Sequence, residues 1–130
     1  MRVVILGGGG FRVPLICREL AASGLAVGEV LLYDVMPERL GAISAVLAAD
    51  SLPLHTTTDL DTALRGADVI FAALRVGGLD GRVADERSAL DAGVIGQETV
   101  GAGGLSYAAR AVPVVDAIGV LPSPPEAVPR

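Results

Sequence analysis

Val3-Val4-Ile5-Leu6-Gly7-Gly8-Gly9-Gly10, followed by Val13, Ile16, Cys17 and Leu20 at helical spacing, decides the fold of this chain. The apolar run has strand length, the glycines form a turn, and the apolar recurrence at i, i+3, i+4 and i+7 is that of a helix. After Ser23-Gly24 the chain resumes with Val30-Leu31-Leu32-Tyr33-Asp34, a second apolar run that ends in an acid. Strand, glycine turn, helix and strand make one βαβ unit.

Downstream, Pro37 can open a second helix, and Leu40, Ile43, Val46 and Leu47 carry its period onward. Leu54 to Thr58 then reads as a third strand, Leu60 to Leu64 as a short helical turn, and Asp68 to Ala72 as a fourth strand. Strands alternating with helices predict a parallel sheet, and with it a Rossmann-like, doubly wound α/β fold of lactate and malate dehydrogenase topology. Beyond the sheet come Arg75-Val76-Gly77-Gly78 and a polar stretch from Asp80 to Asp91 compatible with helix. A second glycine-rich loop is expected from Gly93 to Gly104, then a helix from Leu105 to Ile118 despite Pro113. The segment 122–130 holds four prolines and is excluded from regular helix. The expected organisation is a dinucleotide-binding domain over 1–118 and a proline-rich tail over 119–130. No repeat at a fixed period is visible, which excludes a solenoid or propeller.

At 130 residues the chain has the length of one domain, and its 52% apolar content is enough for a core. No apolar run approaches the roughly 18 residues a membrane span needs, so no membrane partner is expected. Met1-Arg2 leads directly into a short apolar run and the glycines, without the long apolar region of a secretory signal, which predicts a cytoplasmic protein. Fifteen acidic residues against ten basic ones leave a net charge of −5 with no basic block, which argues against nucleic acid or anionic lipid. Small molecules and other protein chains are the expected partners. All ten basic residues are arginine, so a Schiff-base lysine and a P-loop lysine are both excluded within the chain. Cys17 stands alone and His55 is the single histidine, so neither a disulfide nor a Cys/His zinc cluster is expected, and no metal ligand is assigned here.

The first glycine loop follows a strand and opens a helix, where backbone N–H groups and the helix dipole can hold a pyrophosphate. The match to G-x-G-x-x-G is partial: counted from Gly7 the third glycine position holds Arg12, and from Gly8 it holds Val13. A turn that simply joins strand to helix is the alternative. Asp34, at the end of the second strand, is placed to accept the hydroxyls of an adenosine ribose and to repel a 2′-phosphate, favouring NAD over NADP. An ordinary acidic strand end or helix cap has the same appearance. Arg75 and Arg82 flank a Gly-Gly pair beyond the fourth strand, and the planar arginine fork suits a phosphate. Yet Arg82, Arg87 and the triplet Asp85-Glu86-Arg87 also read as a solvated helix face. Gly96-Gln97-Glu98-Thr99 places an acid between glycines. His55 reads as a strand residue and Cys17 as a buried helix residue.

Taken in order, several segments resemble glycoside hydrolase family 4. They are Ile5-Leu6-Gly7-Gly8-Gly9-Gly10 with Pro14, Leu74-Arg75-Val76-Gly77-Gly78-Leu79, Asp85-Glu86-Arg87, and Gly93-Val94-Ile95-Gly96-Gln97-Glu98-Thr99 through Gly101-Ala102-Gly103-Gly104. The likeness runs from Met1 to about Ile118, and Gly78 and Leu79 are more similar to the family's 6-phospho-β-glucosidases than to its α-glucoside members. It implies hydrolysis of a phosphorylated disaccharide or other 6-phospho-β-glucoside, by a route unlike two-carboxylate glycosidases. In that route NAD⁺ oxidises C3, the acidified C2 proton passes to a tyrosine base, the aglycone leaves C1, water adds, and NADH reduces C3 again. A divalent metal, manganese in the first instance, polarises the C2 and C3 oxygens in the full-length protein. The net reaction is hydrolysis, with the cofactor regenerated.

Carried over by motif, the resemblance gives Gly7, Gly8, Gly9, Gly10 and Asp34 to NAD, and Arg82 to the substrate near its phosphate. Glu98 would lie near the metal and raise the basicity of the tyrosine, with Arg75 and Gln97 lining the same pocket. Gly10 stands where the family commonly has a serine. The family's Asn-containing substrate motif, metal-binding Cys and His, and tyrosine base lie beyond the equivalent of Ile118, and Tyr107, Cys17 and His55 occupy other segments. The expectation is an N-terminal portion, inactive alone, of a homo-oligomeric enzyme. Two other readings stand beside it: an NAD-dependent 2-hydroxy-acid dehydrogenase, and a non-catalytic nucleotide-binding or oligomerisation module.

Overall fold

The computed structural model describes residues 1–119; apart from Gly119, the expected proline-rich tail lies outside the described residues. The elements in chain order are β1 (Arg2–Leu6), α1 (Val13–Ala22), β2 (Glu29–Tyr33), α2 (Pro37–Leu47), β3 (Leu54–Thr57), α3 (Leu60–Leu64), β4 (Val69–Ala72), α4 (Gly78–Asp91) and α5 (Gly101–Gly119). The chain divides into two compact units, Met1–Leu74 and a second that starts at Arg75.

The first unit is a parallel sheet in the order β3-β2-β1-β4. Val3 to Leu6 are buried because β1 is paired on both sides, Ile5 lying between Leu32 of β2 and Phe71 of β4. Right-handed crossovers carry α1 and α2 over one face, and the return from β3 across the sheet to β4 sends α3 over the other. The core on the first face joins Ile5, Val30 and Leu32 to Val13 and Cys17 of α1 and to Leu40 and Leu47 of α2. Each such aliphatic side chain contributes about 1.5–3 kcal/mol on burial. Pro37 sits in the first turn of α2, where its missing N–H costs nothing. Asp59 caps α3 by accepting the Thr62 N–H at 2.6 Å, and the side chain of Thr62 together with that N–H holds its carboxyl below the ordinary carboxylate range. Because all strands run the same way, the loop after Leu6 and the residue after Tyr33 emerge at one edge, the carboxyl edge. At the end of the sheet, Val69, Ile70 and Phe71 of β4 remain 43–47% exposed.

The second unit is built on α4 and α5, which pack on each other. Here the structure departs from the sequence expectation in two respects. The glycine-rich stretch does not stay a loop as far as Gly104: α5 begins at Gly101, and the Gly104 N–H donates to the Val100 carbonyl at 3.0 Å. Gly103 and Gly104 serve close approach, since a Cβ on Gly104 would stand 2.8 Å from the Thr99 carbonyl and one on Gly103 would meet the Gln97 carbonyl. Second, Asp85 is not on a solvated helix face. It is 5% exposed, buried by α5 and by the side chain of Arg110. No described helix is long and apolar enough to cross a membrane.

Candidate functional site

In the first unit the loop after β1 is fastened by its own amides. Gly7 and Gly8 both donate to the Tyr33 carbonyl, at 2.9 and 2.7 Å, and Gly10 donates to the Gly7 carbonyl at 2.9 Å. Gly9 donates to Asp34 Oδ2 at 3.0 Å, while Asp34 Oδ1 accepts from the Met36 N–H at 3.1 Å. The loop is glycine because there is no room for anything else: a Cβ would stand 2.7 Å from the Ala73 carbonyl at Gly7 and 2.6 Å from Leu32 Cβ at Gly8. Gly7 also has φ of 84°, in the left-handed region that side chains avoid.

What this loop offers a ligand is therefore bare main chain at close range rather than glycine N–H donors. Nor does the first turn of α1 add spare N–H groups: Val13 donates to the Gly10 carbonyl at 3.0 Å, Pro14 has no N–H, and Leu15 donates to the Arg12 carbonyl at 3.1 Å, so what the helix start offers is its dipole. Arg12 is its N-cap residue and makes no side-chain cap, and no acid occupies the first turn, so the positive end of the helix is uncompensated. Arg12 itself lies over the exposed Phe11 ring at 5.2 Å. A bare loop, an uncapped helix start and a carboxylate at the end of the adjoining strand together fit a dinucleotide.

In the second unit Arg75, Arg82 and Glu98 come together. Arg82 Nη1 lies 3.0 Å from Glu98 Oε2, its Nε donates to Glu86 Oε1 at 2.8 Å, and Arg75 Nη2 donates to Glu98 Oε1. The hydrogen bond to Glu86 raises the Arg82 pKa, and the charges of Glu98 and Glu86 raise it further. Two guanidinium groups thus face two carboxylates, and the charges of these four side chains balance. All four side chains are about 29–41% exposed, and salt will screen the pairs. Directly after Glu98, Thr99 has φ of 63°, a costly conformation for a β-branched residue, and its hydroxyl donates to the Glu98 carbonyl at 2.7 Å. Gln97 enters through its main chain, its carbonyl lying against Gly103.

The sequence reading missed Arg110. It grips Asp85 with both Nη atoms, 2.9 Å from Nη1 to Oδ1, and the pairing raises the Arg110 pKa. The signal was present in α4, where Gly81, Asp85 and Ala89 follow at intervals of four: an acid in the middle of a small-residue stripe calls for a cation on the facing helix. Among the described residues, no three His, Cys, Asp or Glu side chains gather as a metal-ligand set. A depression of roughly 550 Å³ beside α2 and β3, lined by residues such as Asp50 and His55, contains none of the candidate residues.

Sheet order, crossovers and carboxyl-edge loop define a Rossmann-like α/β fold. The chain belongs to the family 4 glycosyl hydrolases, whose family model matches residues 2–120. It is 33% identical over 121 residues to the 6-phospho-beta-glucosidase BglT of Thermotoga maritima, covering 89% of this chain and 29% of that protein. The structure of the T. maritima 6-phospho-beta glucosidase with manganese, NAD+ and glucose-6-phosphate superposes with a TM-score of 0.85 at 32% identity, covering 92% of this chain and 30% of that one. A 6-phospho-alpha-glucosidase from gut microorganisms, in complex with NAD and glucose-6-phosphate, superposes at 0.80 with 37% identity, covering 92% and 29%. The chain thus spans less than a third of the length of these relatives.

Proposed function

We propose that residues 1–118 are the NAD-binding portion of a 6-phosphoglucosidase acting on 6-phospho-β-glucosides, and that the chain has no glycosidase activity by itself. The observation that carries this reading is the Gly9–Asp34 hydrogen bond. It fixes a carboxylate at the carboxyl edge beside a bare loop and an uncapped helix, the arrangement that accepts ribose hydroxyls and admits a diphosphate. Gly7, Gly8, Gly9 and Gly10 line the approach, Asp34 takes the ribose, and the start of α1 faces the negative charge. Bound there, NAD⁺ supplies a reversible two-electron oxidation of the sugar.

In the second unit Arg82 and Arg75 are proposed to meet the substrate phosphate, with Glu98 as the catalytic carboxylate and Gln97 beside it. The charge balance of the cluster adds a condition: a phosphate gains full use of Arg82 only by displacing Glu86 or Glu98 from it. The manganese of the T. maritima relative has no ligand set among the described residues, and we assign it to the part of the family fold outside this chain. Preference for β- over α-glucosides rests on the likeness of Gly78 and Leu79, because relatives of both kinds match. We place the protein in the cytoplasm, and the apolar face of β4 supports self-association there.

Isothermal titration of the 130-residue chain with NAD⁺, NADP⁺, glucose-6-phosphate and a 2-hydroxy acid such as lactate tests the reading. Binding of NAD⁺ in preference to NADP⁺, together with glucose-6-phosphate binding, supports it. Binding of neither leaves a non-catalytic module, and a 2-hydroxy acid bound in place of the phosphosugar points to a dehydrogenase.

A further inference from the structure

Burying a carboxylate such as Asp85 costs several kcal/mol unless a cation with matching geometry meets it. Arg110 does this with two Nη atoms, and its remaining Nε donates to the Val76 carbonyl at 3.0 Å. The guanidinium lies flat over two glycines: a Cβ would stand 2.8 Å from its Nε at Gly77 and 3.1 Å from its Cζ at Gly81. One side chain therefore ties together the turn before α4, the middle of α4 and α5. Val76 is the neighbour of Arg75, and Arg75 pairs with Glu98. Arg110 thereby fixes the Val76–Gly77 peptide, one residue beyond the Cα that carries the Arg75 side chain.

We propose that Arg110, seated on Asp85, is a positioning residue that sets Arg75 onto Glu98. Gly77 and Gly81 are required because they leave the slot its guanidinium occupies. The proposal rests on the reading of Glu98 as the catalytic carboxylate, and extends it to a residue outside the cluster. A purely structural role would give Arg110 a share in the stability of the α4–α5 pair and nothing more.

Guanidinium NMR of the full chain, labelled at arginine, separates the two roles. In the wild type, Arg75 should show N–H signals protected by its pairing with Glu98, lost in Glu98→Gln, which assigns them. Arg110→Lys keeps a cation for Asp85 but removes the second fork and the Nε donor. Its Arg75 signals are expected to exchange faster by about tenfold or more, while Arg82, which has Glu86 on its own helix, changes little. Gly81→Ala leaves every charge in place and displaces only the guanidinium, so it guards against misfolding of the lysine variant and should loosen Arg75 in the same way. Unchanged Arg75 signals in either folded variant overturn the proposal. Titration of the wild type with glucose-6-phosphate is read separately: failure to bind removes the functional reading and leaves the coupling of Arg110 to Arg75 standing.

Discussion

Asp34 and Gly9 are joined by a hydrogen bond from the Gly9 N–H to Asp34 Oδ2 at 3.0 Å, while the other carboxylate oxygen accepts the Met36 N–H at 3.1 Å. One side chain thus braces the loop after β1 against the start of α2 and still has lone pairs to offer. Asp34→Ala orphans the part-buried Gly9 donor, which should cost about 1–3 kcal/mol. Melting temperature falls, and NAD⁺ affinity drops by an order of magnitude or so by calorimetry. NADP⁺ should lose less, because the repelling charge is gone and Arg39, whose Cβ abuts Gly9, borders the same place. Equal losses for both nucleotides would show that the carboxylate does not face the ribose.

Glycines in this chain answer to different constraints, and two of them make opposite predictions. A methyl group at Gly8 would stand 2.6 Å from Leu32 Cβ, inside the core and against backbone that cannot yield. Gly8→Ala should destabilise by about 1–3 kcal/mol, as overpacked cores do. Gly41 lies within α2 with nothing within 4 Å of an added Cβ. Gly41→Ala should stabilise by about 0.5–1 kcal/mol, through helix propensity alone. Denaturant midpoints of the two variants check both signs.

The sheet was legible because its information is local. Val3 to Leu6 are apolar at every position, and a strand buried on both faces requires just that. Asp34 was likewise visible as the acid that ends an apolar run. What the sequence hid depends on partners distant along the chain. Asp85 reads as part of a solvated triplet until Arg110, 25 residues on, is brought over it. The glycines from Gly101 to Gly104 read as loop because glycine weakens helices, and the packing of Gly103 against Gln97 and of Gly104 against Thr99 overrides that preference. The amides of Gly7 to Gly10 look available for a phosphate, and only the fold shows them engaged with Tyr33, Asp34 and Gly7.

Cys17 gives a prediction in pH. Burial in the core raises its thiol above the ordinary value of 9.0, and the charge of Asp50 raises it further. The native state therefore holds the proton after the unfolded chain has lost it. In that window the unfolded state binds fewer protons, and stability falls as pH rises from about 9. Below it Cys17 adds no pH dependence. Urea titrations at pH 8 and above should show this decline, and Cys17→Ser should abolish it while lowering stability at every pH. Native Cys17 should also resist alkylation until denaturant is added.

The cluster of Arg75, Arg82, Glu86 and Glu98 makes the last prediction, which turns on its charge balance. If Arg82 meets a phosphate, Arg82→Ala should weaken glucose-6-phosphate binding by about tenfold or more and leave glucose binding nearly unchanged, since a charged hydrogen bond contributes about 1.5–3 kcal/mol. Glu98→Gln works the other way. It removes the carboxylate that competes for both guanidinium groups, so phosphate affinity should rise while any chemistry needing that carboxylate is lost. Because these side chains are about a third exposed, both effects should shrink as salt is raised toward 1 M. Loss of phosphate binding in Glu98→Gln would mean that the carboxylate holds the arginines in place for the ligand rather than competing with it, and the order of events at this site would have to be reversed.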